Sequence, residues 1–226
     1  RARLLGDMQD APRAFEAWRT LRRLLDQDDA ERSALAGAAP RARLLEVDIA
    51  MEAAAPGPED PEEERAATDR AASLRARARS LAQEVLDAPA GPEQSEDLVA
   101  VAGACLTGTG TALSPQAAAE GEELLAVAQA LVERLERLDA DPHGHVRTQL
   151  ELSRSALAHV QGDVYGAART TAEALEAATS LSASSVVSCR HRLAWLSVMS
   201  GQLDEAVAQD VEAANLLLAA GADCWA

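Results

Sequence analysis

The chain has 226 residues, of which 21 are basic and 37 acidic, giving a formal charge of −16 and an isoelectric point near 4.6. Every basic residue is arginine, about a quarter of the chain is alanine, and Ile49, Phe15 and Tyr165 are the sole residues of their kinds. A pleated sheet needs β-branched and aromatic side chains that this composition lacks, and phosphate-backbone binding needs positive surface where this chain is strongly negative.

The predicted elements are therefore all helical. The first is expected over residues 12–26, with Asp10 as cap, Pro12 in the first turn, and Phe15, Trp18, Leu21 and Leu25 on one face. A second is expected to run to about residue 55, with a break near Pro40. The stretch from Ala55 to Pro61 reads as a linker. It also opens a helix: Asp60 caps, Pro61 suits the first position, and Glu62, Glu63 and Glu64 face the positive helix end. Arg75, Arg77 and Arg79 are expected nearer its negative end. Pro89 to Pro92 is the next break, followed by a short helix over 95–106. Thr107-Gly108-Thr109-Gly110-Thr111 reads as a flexible loop. Ser114 and Pro115 are expected to cap and open a long helix to about residue 138, ended by Asp141-Pro142-His143-Gly144. The remaining helices are expected over 145–161, 164–180, 184–200 and 203–220. Domain organisation is expected as an N-terminal helical segment over 1–57 and a helical array over 58–226.

Alanine buries little area, so its value lies in close approach of helix backbones, and the expected architecture is thin layers of paired helices. Cys105, Cys189 and Cys224 are an odd count at wide spacing, read as small buried side chains and not as a disulfide framework. No stretch approaches the roughly 20 apolar residues of a membrane span, and no signal peptide is visible; a cytoplasmic setting is the expectation. The chain opens at Arg1 without methionine, and both ends look cut through structure, which reads as a segment of a longer protein.

The last part of the chain repeats at an offset of 39 residues. Gly162-Asp163-Val164 aligns with Gly201-Gln202-Leu203, and Leu157, Ala167 and Ala174 align with Leu196, Ala206 and Ala213. A glycine that ends one helix and small alanines on the next describe an antiparallel helix pair. One pair cannot bury its apolar face alone, so pairs must stack.

On these residues, 156–178 and 192–217, the sequence resembles the tetratricopeptide repeat (TPR) family. The offset exceeds that family's period of about 34 residues and is similar to the longer Ala- and Arg-rich variants of actinobacterial regulators, including large LuxR-type regulators, antibiotic-pathway activators and diguanylate cyclases. Residues 4–25 look like half of another unit, and the middle pairs, 61–106 and 115–161, fit more loosely. The aromatic positions usual in the family are mostly Ala, Ser or Thr here. The resemblance implies an all-α, superhelical stack of antiparallel helix pairs, an α-solenoid.

No nucleophile, phosphate-loop or zinc motif is present in the sequence. His143 and His145 beside Asp141 read as a helix-ending loop, and no catalytic residue, metal or cofactor is assigned. The resemblance places partner-binding residues on the first helix of each pair: Gln149, Leu152, Ala156 and His159 in one unit, and Ser188, His191, Trp195 and Val198 in the next. Trp195 reads either as an anchor for a partner or as packing between repeats, and Arg190 and Arg192 flank it. The implied function is a non-catalytic protein-interaction module within a larger cytoplasmic signalling or transcription regulator. It would hold a protein or peptide, or the effector domain of the same chain, on its concave face, without direct nucleic-acid or membrane contact. The alternatives are a domain sensing a small molecule or peptide, and the sensory region of a diguanylate cyclase. The terminal pair is expected to present an apolar outer face, which favours self-association.

Overall fold

The structure is a computed structural model that describes residues 37–55, 60–112, 114, 117–141, 144–178 and 183–219. Eight α-helices lie among the described residues: α1 (Ala38–Ala53), α2 (Pro61–Asp87), α3 (Ser95–Gly110), α4 (Ala118–Arg137), α5 (His145–Val160), α6 (Val164–Ala178), α7 (Ala183–Met199) and α8 (Leu203–Ala219). One 3-10 turn, Pro92–Gln94, precedes α3. The helix expected over 12–26, the opening half-repeat and Cys224 lie outside the described residues.

Local chemistry sets most helix ends. The Asp60 side chain accepts from the Glu62 N–H at 2.9 Å, with Pro61 in the first turn and three glutamates following. Pro40 falls in the first turn of α1 and breaks nothing, because the missing N–H of a first-turn proline has no helical partner to lose. Ser114 Oγ accepts from the Ala117 N–H at 3.2 Å, so the long helix opens at Ala118, later than expected.

The hairpins at Gly162 and Gly201 share the backbone hydrogen bonds that close the turn. Both glycines have positive φ, 88° and 76°. Asp163 N–H donates to Ala158 O at 2.9 Å, and Gln202 N–H donates to Ser197 O at 2.8 Å. Gln161 to Leu157 matches Ser200 to Leu196, and Gly162 to His159 matches Gly201 to Val198. These bonds satisfy carbonyls that a helix C-terminus leaves open. The aligned alanines Ala167, Ala174, Ala206 and Ala213 are all buried.

Thr107–Thr111 is not a loop, which corrects the sequence expectation. α3 continues to Gly110, with Thr109 Oγ1 returning to Cys105 O at 3.0 Å and Thr111 Oγ1 to Gly108 O at 3.0 Å. Gly108 is there for space. A Cβ at that position would meet Leu124 Cδ1 at 2.9 Å, with Arg75 and Ile49 close by. The glycine lets three neighbours close on α3, and packing overrides the local preference.

Each helix packs on its chain neighbours, and α1 on α3, α3 on α5, α5 on α7 and α2 on α4 also touch. The odd-numbered helices therefore form a continuous row. The helices of the expected pairs 61–106 and 115–161 do touch, and α3 packs more extensively on α1 and α4. α3 is the central element, with Leu98, Val101, Ala102, Ala104 and Cys105 fully buried. Leu45 and Ile49 of α1, Leu81 and Val85 of α2, and Leu131 and Leu135 of α4 complete one core. The boundary drawn at residue 57 falls between α1 and α2, which share that core. A smaller cluster joins Ala174 and Ala178 of α6 to Val186 and Cys189 of α7.

The arginines staple helices together. Arg75, only 6% exposed, donates from Nε to Glu120 Oε2 at 2.7 Å, and Arg79 pairs with Glu123, both reaching from α2 to α4. Neither serves the negative end of α2, whose last turn holds no basic residue. That end is capped instead by Arg134 of α4, which donates to the carbonyls of Val85, Leu86 and Ala88. Among the described residues no helix is long and apolar enough to cross a membrane.

α8 packs on α7 and keeps part of its apolar surface exposed. Leu203, Val207, Val211 and Leu218 are each more than half exposed, at spacings that align them along one face.

Candidate functional site

Helices α1, α3 and α5 bound an open trough of about 990 Å³, and among the described residues no even-numbered helix lines it. One wall is α1, through Arg43, Glu46 and Val47. The floor is α3, where Val99, Ala100, Gly103, Thr107 and Gly110 recur at helical spacing. The opposite wall is α5, through His145, Val146, Gln149, Leu152 and Ala156.

The floor is low because its side chains are small. At Gly110 a Cβ would meet nothing within 4 Å. At Gly103 its nearest neighbour would be the Glu46 carboxylate, 3.4 Å away. Val47 and Val99 stand 43% and 39% exposed on either side, far above what a core valine shows. Arg43 Nη2 and Glu96 Oε1 pair at 2.7 Å at the rim. Thr107 Oγ1 donates to Glu46 Oε1 at 3.2 Å, tying wall to floor.

The α5 wall is positioned by Asp141. Its carboxylate accepts the first-turn N–H groups of His145, Val146 and Arg147 at 3.0, 3.0 and 3.2 Å. A carboxylate there satisfies open donors and faces the positive helix end. The segment read as merely ending α4 thus starts α5 and sets His145 and Val146 at the trough's rim.

Of the residues that the family resemblance suggested, Gln149, Leu152 and Ala156 line this trough. His159, Ser188, His191, Trp195 and Val198 do not. His159 and Trp195 meet elsewhere, edge to face, with ring centroids 4.5 Å apart, and the Arg192 guanidinium lies 4.6 Å from the Trp195 ring centre. Arg192 Nε donates to Ser155 Oγ at 3.3 Å, and Ser155 also accepts from Thr171 Oγ1 at 2.8 Å. Arg192 Nη2 and His159 Nδ1 are buried without a hydrogen-bond partner. Burial, then the Arg192 charge, holds His159 below the usual imidazole range, and burial lowers Arg192. Trp195 therefore packs α7 against α5 while remaining 39% exposed. Ser188 is half-buried, Val198 is exposed, and His191 contacts Asp210 of α8 at 3.3 Å.

Sequence reasoning missed the α1 wall and the α3 floor. The missed signal was the recurrence of small residues at Ala100, Gly103, Thr107 and Gly110, legible once the segment is read as helix. Cys105 and Cys189 are buried, and desolvation pushes their thiols up to about 12 and about 11. Thiolate, the reactive form, is disfavoured in both. Among the described residues no group of three or more His, Cys, Asp or Glu is arranged to hold a metal ion. Comparison with protein families, with characterised proteins and with solved structures gives no match.

Proposed function

We propose that this chain is a non-catalytic protein-interaction module: a TPR-like superhelical stack of antiparallel helix pairs, serving a larger signalling or transcription regulator. Its partner polypeptide lies along the row of odd-numbered helices, in the trough between α1 and α5. The carrying observation is the trough itself, open, floored by glycines and alanine, and flanked by exposed valines. Apolar surface of this kind, rimmed by polar side chains, is what a docking segment covers. Two further observations support the stack: every odd-numbered helix touches the next, and the hairpins at Gly162 and Gly201 share one hydrogen-bond pattern.

A photo-crosslinking side chain at Gln149, compared with one at the exposed Glu133 of α4, tests the reading in the native host. The Gln149 probe is expected to trap one discrete polypeptide, and Gly110→Leu, which fills the floor, to abolish that product without lowering the melting temperature. Equal products from both positions, or a Gln149 product indifferent to Gly110→Leu, would overturn the proposal.

A further inference from the structure

The trough is not electrically neutral. Arg43 is taken up by Glu96, which leaves Glu46 as its uncompensated charge. Glu46 is half-buried on the α1 wall. Thr107 holds one carboxylate oxygen at 3.2 Å, and the other lies against the bare Cα side of Gly103. No arginine among the described residues pairs with it, although arginines meet glutamates across the α1–α2, α2–α4, α4–α5 and α7–α8 contacts.

We infer that the trough selects a partner segment carrying a guanidinium or ammonium group within an apolar stretch, the cation pairing with Glu46 while its apolar neighbours cover Val47, Val99 and Leu152. This rests on the docking role proposed above and names the chemistry of the partner. A docked acidic or purely apolar segment would strip water from Glu46 and return nothing, which costs free energy, and a neutral amide would return only an uncharged donor. A cation replaces that water with a charge-assisted hydrogen bond. The bare floor at Gly110 leaves room for the partner's backbone to come close enough for its side chain to reach Glu46.

The test is fluorescence anisotropy on the full chain with three labelled peptides of leucine and alanine, identical except for a single central Arg, Gln or Glu. The Arg peptide is expected to bind about tenfold tighter than the Gln peptide at low salt, with the Glu peptide weakest. Glu46→Gln is expected to erase the gap between Arg and Gln. Thr107→Val, which releases the carboxylate from its anchor, is expected to narrow it and provides a second reading should the first variant fold poorly. An Arg preference that survives Glu46→Gln reflects the general field of the protein and overturns the inference. So does equal binding of all three peptides in a manner abolished by Gly110→Leu, which leaves the docking trough standing without its charge selectivity. Binding of all three that is indifferent to Gly110→Leu defeats the trough and the inference together. A dimer of this chain dispersed by Glu46→Arg would make a second copy the occupant and also overturn it.

Discussion

Replacing Arg134 by methionine should be among the most damaging single changes outside the apolar core. The side chain is 6% exposed and crosses from α4 to the end of α2. One nitrogen donates to Val85 O at 3.3 Å and Leu86 O at 2.9 Å, the other to Ala88 O at 2.6 Å and Gln94 Oε1 at 3.0 Å. It therefore supplies both the hydrogen bonds and the positive charge that the last turn of α2 lacks. Hydrogen bonds to a charged group contribute about 1.5–3 kcal/mol each when counted singly. These four share one cation and one desolvation cost, so their sum overstates the effect, and the acceptors left unsatisfied at the buried end of α2 set a loss of about 3 kcal/mol. Methionine keeps much of the volume and isolates the polar loss. At about 2–4 °C per kcal/mol for a chain of this size, the melting temperature should fall by about 10 °C. A thermal scan and a urea titration, both followed by far-ultraviolet circular dichroism, measure the change. Arg134→Lys should recover only part of it, because an ammonium is a point charge and cannot span the Val85–Leu86 and Ala88–Gln94 pairs together. A methionine variant within about 1 kcal/mol of the parent would refute the argument and return the α2 terminus to solvent.

The remaining predictions use the same denaturation assay unless stated. Gly162→Ala and Gly201→Ala force alanine into positive φ and should each cost about 1–2 kcal/mol; an unchanged midpoint would contradict the hairpin geometry. Asp141→Ala removes the acceptor for three first-turn N–H groups of α5 and should cost about 1–2 kcal/mol, with amide exchange rising at His145, Val146 and Arg147. The folded-state pKa values of Cys105 and Cys189, about 12 and about 11, lie above the ordinary 9.0, so the unfolded chain loses these protons first. Stability should therefore be full below pH 9.0 and decline as pH rises toward those values. A Cys105→Ala, Cys189→Ala variant should show a flatter decline, and equal slopes would count against it. Val207→Lys with Val211→Lys interrupts the uncovered stripe of α8 and should lower concentration-dependent self-association in sedimentation without loss of stability. Association that persists unchanged would place the contact elsewhere.

Helix ends were legible in the sequence because they are made by residues next to one another. Asp60 and Pro61 start α2 through contacts within a single turn, and Gly162 and Gly201 end α5 and α7 through their own φ. The repeat offset carried further, since residues 39 apart occupy the same hairpin and make the same bonds. The segment 107–111 was misread for the same reason that these succeeded. Two glycines among threonines describe a loop when only neighbours are weighed, yet Gly108 answers to Leu124, Arg75 and Ile49, none of them close in sequence. Arg75 and Arg79 were likewise assigned to their own helix end, while their partners lie on α4.

The sequence by itself determined that the chain is helical and where several helices begin and turn, because composition, capping and backbone conformation act over a few residues. Only the tertiary structure decided that α1, α3 and α5 face one another across a trough, that Glu46 stands in it with no arginine of the described residues paired to it, and that Trp195 leans on His159. Those relations depend on which side of each helix is turned toward distant neighbours. That choice is made by packing summed over the whole core, where alanines and glycines fit almost anywhere and so leave little trace of it in their order along the chain.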